Sequence, residues 1–249
     1  MDWSSSILLR KTDLESTRKL FERDDFPLID LDSSYKNGGR YYKTPDGLWY
    51  PSVTTVLSSQ KDGSIDAWRA RVGEQEANRI SRQATQRGTY LHSMCEDYLN
   101  NIDGYKRSRM PTTLSLFNSI KDTIDENVEV VYGIEMALFS HRLKTAGRTD
   151  VFCRFQGLNT ILDFKTSTRE KKQEWIQNYF VQATTYAIMV EEMYKDYRSI
   201  TIPQIAIVIA VEDGEVPYQL FVRKTNDFRE QVYETFDLYH EQNNLLTLD

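Results

Sequence analysis

The hydrophobic period of this chain changes near residue 128, and that change constrains the fold more than any other feature of the sequence. Apolar residues recur at helical spacing over residues 65–99, and a shorter helix is predicted from Pro111 to about residue 127. The pattern then becomes strand-like in three consecutive segments, at residues 128–139, 148–155 and 158–164. Helices followed by consecutive strands are typical of layered α/β architectures.

The C-terminal part alternates again between helix and strand. Residues 174–194 predict a long helix, and the unbroken apolar run at residues 205–211 predicts a buried strand. Residues 218–222 are expected to pair with that strand, and residues 226–240 to form a closing helix. The predicted fold class is therefore α/β, with a mixed central β-sheet flanked by helices.

Length and local composition suggest how the chain is divided. Its 249 residues suit one large domain or two small ones. Residues 1–34 are polar and acidic, so we interpret them as a loosely held N-terminal arm with one short helix. Residues 35–249 are predicted to form a single domain.

Turn and glycine signals refine this outline. The segment Thr44–Gly47 contains Pro-Asp-Gly, which favours a tight turn because proline fixes φ and glycine accepts a positive φ. Aromatic and β-branched residues at 40–43 and 48–57 predict the two strands of a hairpin. Within the long helix, Gly88 interrupts the pattern, and Thr89 is expected to cap a second helical segment.

Charge and cysteine content limit the classes of partner. The net charge of −6 argues against coating nucleic acid over the whole surface, but residues 68–109 contain eight basic and five acidic side chains. Cys95 and Cys153 are too few for a four-cysteine zinc site or an iron–sulfur cluster held by four thiolates. No membrane-length apolar run or secretory leader pattern is present, so a cytoplasmic protein is expected.

The motif with the clearest chemistry is Gly147-Arg-Thr-Asp150, followed after twelve residues by Asp163-Phe-Lys165. Strand side chains alternate between faces, so Asp163 and Lys165 point the same way. If the two strands pair, the carboxylates of Asp150 and Asp163 converge, and a hard cation such as Mg²⁺ or Mn²⁺ relieves their repulsion. Lys165 then orients a water molecule or stabilises charge on a phosphate. These three residues are the predicted catalytic residues.

Four blocks in this order resemble the RecB-like branch of the PD-(D/E)XK nucleases, and within it the mitochondrial genome-maintenance exonucleases and their phage relatives. They cover roughly residues 40–190 and comprise Pro51-Ser-Val-Thr-Thr-Val-Leu57, Arg87-Gly-Thr-Tyr-Leu-His92, the Asp150 and Asp163-Phe-Lys165 motif, and Gln182-Ala-Thr-Thr-Tyr186. The chain departs from the literal Pro-Asp of the family, because Thr149 precedes Asp150.

The resemblance implies further site residues. It implies that His92 completes a Mg²⁺ or Mn²⁺ site with Asp150, Asp163 and the backbone carbonyl of Phe164. It also implies that Gln182 and Tyr186, four residues apart on a helix, face the site. Further predicted DNA contacts are phosphate clamps and hydroxyl donors close to these ligands in sequence: Arg87, Arg148, Thr166 and Ser167. Glu96 and Glu135 could support the metal site or simply be solvated charges.

The resemblance implies a metal-dependent DNA exonuclease that degrades single-stranded DNA from free ends, and we expect a bacterial or phage setting. It also implies a helical arch at about residues 65–127 over a catalytic core at about residues 128–249. Trp68, Tyr90 and Tyr98 of the arch offer stacking faces, although their helical spacing also fits core packing. Two alternatives stay open: a structure-selective endonuclease with the same active site, and a DNA-binding relative that does not cut.

Overall fold

A six-stranded sheet and a three-stranded sheet organise the computed structural model, which describes residues 19–36, 38–60 and 63–243. The strands in chain order are β1 (Glu22–Arg23), β2 (Ser33–Lys36), β3 (Gly39–Lys43), β4 (Trp49–Pro51), β5 (Val128–Ser140), β6 (Thr145–Phe155), β7 (Leu158–Ser167), β8 (Gln204–Val211) and β9 (Tyr218–Lys224). The α-helices are α1 (Val53–Ser59), α2 (Ser64–Val72), α3 (Glu74–Leu99), α4 (Pro111–Asn127), α5 (Gln177–Met193) and α6 (Arg229–Gln242).

The large sheet is mixed, with the strand order β1-β5-β6-β7-β8-β9. Strands β5, β6 and β7 form an antiparallel meander, whereas β7 and β8 run parallel and are connected through α5. Strand β9 pairs antiparallel with β8, and the short β1 pairs parallel with β5. The predicted α/β class, with a mixed central sheet flanked by helices, is confirmed.

Helices cover both faces of this sheet because its central strands are apolar on both sides. Helices α3 and α4 pack against the face that carries Leu162 and Phe164. Helices α1, α5 and α6 pack against the opposite face, which carries Ile161. Among the residues described, no helix is both long and apolar enough to cross a membrane.

The N-terminal hairpin forms, but its second strand is shorter than predicted. Strands β3 and β4 pair across the expected turn, and β2 adds a third strand. The prediction of strand at residues 53–57 is wrong, because this segment forms α1. Ser52 caps that helix by accepting a hydrogen bond from the Thr55 amide, and Val53 and Val56 are buried one turn apart. The cap and the buried helical face outweigh the strand propensity of the β-branched residues.

Gly88 does not interrupt the long helix, which corrects the predicted break and the predicted cap at Thr89. Helix α3 continues through Gly88, and the Thr89 hydroxyl donates to the Thr85 carbonyl one turn earlier. The break lies instead at Gly73, between α2 and α3, where φ is +86°. Glycine is only mildly unfavourable inside a helix, whereas a positive φ is open chiefly to glycine.

Residues 19–32, which precede β2, pack on the large sheet, where we expected a loosely held arm. Phe21, Phe26 and Leu31 are buried, and Glu22–Arg23 pairs with β5 as an edge strand. Burial of three large apolar side chains outweighs the polar and acidic character of this segment. Residues 1–18 of the predicted arm lie outside the described residues.

Candidate metal and active site

The site lies in a fork between β6 and β7. The ladder between these strands ends at the pair Val151 and Leu162. Beyond it β6 stays paired with β5, and β7 stays paired with β8 as far as Ser167. Asp150 lies at the opening, where its Oδ2 accepts a 2.8 Å hydrogen bond from the Phe164 amide. This bond positions the carboxylate between the two strands.

Asp163 and Lys165 project from the same face of β7, as predicted, and form an ion pair. Lys165 Nζ lies 2.5 Å from Asp163 Oδ2, and the Asp163 side chain is only 3% exposed. Burial raises the pKa of Asp163; the charge on Lys165 opposes that rise and the charge on Asp150 adds to it. Burial alone would lower the pKa of Lys165, but Asp163 and Asp150 raise it, so the ammonium stays charged.

His92 reaches the fork from α3, on the other side of the sheet. Its Nε2 lies 2.6 Å from the Phe164 carbonyl oxygen, and its Nδ1 lies 3.5 Å from Asp150 Oδ1. Of the four groups predicted as metal ligands, the Phe164 carbonyl and Asp150 lie within 3.5 Å of His92. Asp163 instead pairs with Lys165 and is not among the ligand atoms that lie within 4.8 Å of one another, so its role as a ligand stays a prediction. Three oxygen groups and one imidazole nitrogen suit Mn²⁺ and, less strongly, Mg²⁺.

Glu135 is a member of this cluster that sequence reasoning left open. The register of β5 and β6 pairs Ile134 with Val151 and Met136 with Thr149, which sets Glu135 across from Asp150. One ligand atom from each of His92, Glu135 and Asp150 lies within 4.8 Å of the others. Burial, and next the charge on Asp150, raise the pKa of Glu135 to about 7. Crowded acids of this kind fit a site that holds a divalent cation.

Two further properties of the acidic cluster support that fit. Glu135 has φ of +47°, a left-handed conformation that is uncommon for a residue with a side chain. Burial also raises the pKa of Glu96, which lines the same small cavity as His92 and Asp150. A strained backbone and partly buried acids both cost stability, and a bound cation would offset the cost of the acids.

Helix α5 closes the site on the opposite face with Tyr179, Gln182 and Tyr186. These residues lie at positions i, i+3 and i+7, so they share one side of the helix. Burial raises the pKa of Tyr186, and the nearby charges on Asp150 and Asp163 add to it. The Tyr179 ring centroid lies 5.2 Å from Lys165 Nζ. Tyr179 was not predicted, although its helical spacing from Gln182 could have indicated it.

The two arginines predicted as phosphate clamps have carboxylate partners instead. Arg87 Nη1 lies 2.7 Å from Glu212 Oε2 at the end of β8. Arg148 forms an ion pair with Asp30 and donates to the Glu135 carbonyl at 3.0 Å. Their roles in binding phosphate stay predictions, since each guanidinium would have to exchange or share its partner.

The remaining predicted DNA contacts lie beyond Lys165 on β7. Thr166 is partly exposed, whereas the Ser167 side chain is buried and its carbonyl accepts from the Glu212 amide. Sequence reasoning missed Arg40 of β3. A hydrogen bond with Tyr42 raises the pKa of Arg40, with a smaller contribution from Tyr186.

Comparison with models of known protein families gives no match for this chain, and a search of curated proteins finds no similar sequence. The resemblance to the PD-(D/E)XK nucleases therefore depends on the sequence motifs alone and stays a prediction.

Proposed function

We propose that this chain is a PD-(D/E)XK nuclease that uses Mg²⁺ or Mn²⁺ to hydrolyse phosphodiester bonds in DNA. The observation that supports this most is the hydrogen bond from the Phe164 amide to Asp150, which sets that carboxylate against β7 between Asp163 and Lys165, while His92 reaches the same fork from α3. Carboxylates, a charged lysine and an imidazole around one opening are the groups that metal-assisted phosphodiester hydrolysis requires.

The chain's own residues fit the cation. Asp150, Asp163, His92 and the Phe164 carbonyl would hold it, and Glu135 would join them from β5. When bound, the cation supplies Lewis acidity toward the phosphate and lowers the pKa of an attacking water. The raised pKa of Glu135 supports this assignment, because burial first and the charge on Asp150 next disfavour its ionised form, and a bound cation would offset that cost.

Lys165 and the α5 residues have separate tasks in this proposal. Lys165 stays protonated, so its ammonium donates to a water molecule or to a phosphate oxygen and stabilises the developing negative charge. Tyr179 lies against that ammonium and limits where it points. Gln182, which hydrogen-bonds to Tyr186, has an amide that could donate to a phosphate on the same face.

The preference for free ends of single-stranded DNA is the finer part of the proposal. It is supported by the resemblance and by the projecting arch, since residues 78–86 of α3 are exposed on every side of the helix. A helical segment whose side chains are all exposed is free to contact a ligand. The alternative is an endonuclease that uses the same residues, and the experiment below distinguishes it from an exonuclease.

The test is cleavage of one labelled single-stranded DNA, supplied linear and circular, with Mg²⁺, Mn²⁺ or EDTA. We expect metal-dependent loss of the linear strand by the natural protein and no loss by Asp163→Asn. Asp196→Asn, an exposed carboxylate before β8, is the matched control and should retain activity. Cutting of the circle would favour the endonuclease. Absence of cutting under all conditions, or full activity of Asp163→Asn, would overturn the proposal.

A further inference from the structure

A second cavity, of about 350 Å³, lies between α3 and α4 beside the end of β8. Helix α3 lines it with a stripe of four residues at positions i, i+3, i+4 and i+7: Gln83, Gln86, Arg87 and Tyr90. The same side of α3 continues into the core as Leu91, Met94 and Tyr98, which are completely buried. One helix face thus changes from apolar to polar where it leaves the cover of α4, which begins at Pro111.

The residues that line this cavity are more polar than those of a surface that binds an apolar protein segment. Two amides and a guanidinium occupy the positions that would be apolar if protein packed there. Tyr90 and Met110 supply apolar surface from two different parts of the arch, and they are 39% and 58% exposed. A flat ring and a polarizable thioether on a cavity of this size suit a planar aromatic ligand with polar edges.

Arg87 adds an anion-binding group to the same cavity. Its Nη1 pairs with Glu212 at 2.7 Å, while its Nε is buried without a hydrogen-bond partner among the described residues. A buried donor without a partner makes this ion pair imperfect. A phosphate can accept two parallel hydrogen bonds from a guanidinium, so exchange of Glu212 for phosphate would satisfy Arg87 better.

We propose that this cavity binds one nucleotide of a single-stranded nucleic acid, a proposal that rests on the nuclease function above. The base lies on the Tyr90 ring with Met110 at its other side. Gln83, which accepts from Arg79, and Gln86, which donates to the Tyr90 hydroxyl, turn to the polar edges of the base. Arg87 releases Glu212 to hold the adjoining phosphate. A base must be unpaired to enter such a slot, so the cavity selects single strands over duplex.

The position of the cavity indicates a nucleotide next to the cleavage site. Arg87 precedes His92 by five residues on α3, a rise of about 7.5 Å along the helix. The cavity therefore binds a neighbouring unit of the strand and leaves the metal cluster free for the scissile phosphate. Such a contact would fix the register of the strand before cleavage.

The test measures binding in EDTA, so that cleavage does not interfere. The probes are a labelled 12-nucleotide single strand and a blunt hairpin duplex. We expect Tyr90→Ala to weaken single-strand binding by about 5- to 100-fold, the loss associated with one stacked base. Tyr90→Phe keeps the ring and should bind almost normally. Glu212→Gln should bind several-fold more tightly, because it removes the carboxylate that competes with phosphate for Arg87.

Tyr197→Ala is the matched control, because Tyr197 is also an exposed aromatic residue but follows α5 at the opposite end of the sheet. It should leave binding unchanged. If the natural protein cuts DNA but Tyr90→Ala binds the single strand as tightly as the natural protein does, the assignment of the cavity is overturned and the proposed function is not. Equal losses for single strand and duplex would overturn the single-strand selection. A natural protein that neither binds nor cuts DNA would overturn the proposed function and this inference together.

Discussion

His92 Nε2 lies 2.6 Å from the carbonyl oxygen of Phe164, which connects helix α3 on one face of the sheet to the open fork of β7. Residues 72 positions apart in the chain are thereby held at hydrogen-bonding distance. The contact aims the imidazole at Asp150 as well, and it makes α3 part of the site. The exposed first half of α3 therefore belongs to the same helix that reaches the proposed cleavage centre.

Replacing His92 tests that connection directly. We expect His92→Ala to lower the affinity for Mn²⁺ by about 10-fold or more, since an imidazole ligand is lost. Isothermal titration calorimetry measures this change. His141→Ala is the control, because His141 is exposed and its ring hydrogen-bonds to Tyr50, away from the fork. Unchanged Mn²⁺ affinity in His92→Ala would argue against its role as a ligand.

Lys165 is expected to act in catalysis and not in metal binding. Lys165→Ala should reduce the cleavage rate by about 100-fold or more, because one preorganised cation at the reacting phosphate is lost. Its affinity for Mn²⁺ should stay within a few-fold of the natural protein. Lys195→Ala, an exposed lysine before β8, should cut normally. Parallel loss of metal binding and cleavage would show that Lys165 acts through the carboxylates instead.

Glu135 should make the metal-free protein less stable as the pH rises. Its pKa is about 7 in the folded state and 4.5 when unperturbed, so between these values the folded protein holds a proton that the unfolded chain has released. The free energy of unfolding therefore falls with pH over this window, by at most about 1.4 kcal/mol per pH unit from this group. Urea unfolding in EDTA should show a shallower fall for Glu135→Gln. An identical pH dependence in the two proteins would contradict the raised pKa.

Gly147 is required for the close approach of α5 to the site. A Cβ at this position would lie 2.9 Å from the Tyr186 hydroxyl oxygen, and the Tyr186 ring is buried and has little room to move. We expect Gly147→Ala to lower the free energy of unfolding by about 1–3 kcal/mol. Adding Tyr186→Phe should recover part of this loss. Additive effects of the two substitutions in urea unfolding would show that they do not share this contact.

Two glycines of the helical segment should respond oppositely to alanine. Gly88 lies inside α3, and a Cβ added there would have no neighbouring atom within 4 Å, so Gly88→Ala should raise the free energy of unfolding by about 1 kcal/mol. Gly73 has φ of +86° and ψ of 147°, so Gly73→Ala should lower it by about 1–3 kcal/mol. Thermal unfolding of both variants measures the difference. The same sign for both would contradict the boundary between α2 and α3.

Much of the architecture could be predicted because its determinants are local. The change from helical to alternating period near residue 128 predicted the helices and the central strands, and the two-residue spacing of Asp163 and Lys165 predicted their common face. Local signals also gave two wrong predictions. At Val53 a capping serine and burial prevailed over strand propensity, and at Gly88 a helix tolerated the residue that suggested a break.

The sequence by itself determined most of the helices and strands and which chemical groups are available, because periodicity and residue type are properties of each segment. Only the tertiary structure decided which of those groups meet. Glu135 faces Asp150 because of the register of the β5–β6 hairpin, and Arg87 pairs with Glu212 across 125 residues of chain. Register and long-range contacts depend on how all the layers pack together, so no single stretch of sequence encodes them.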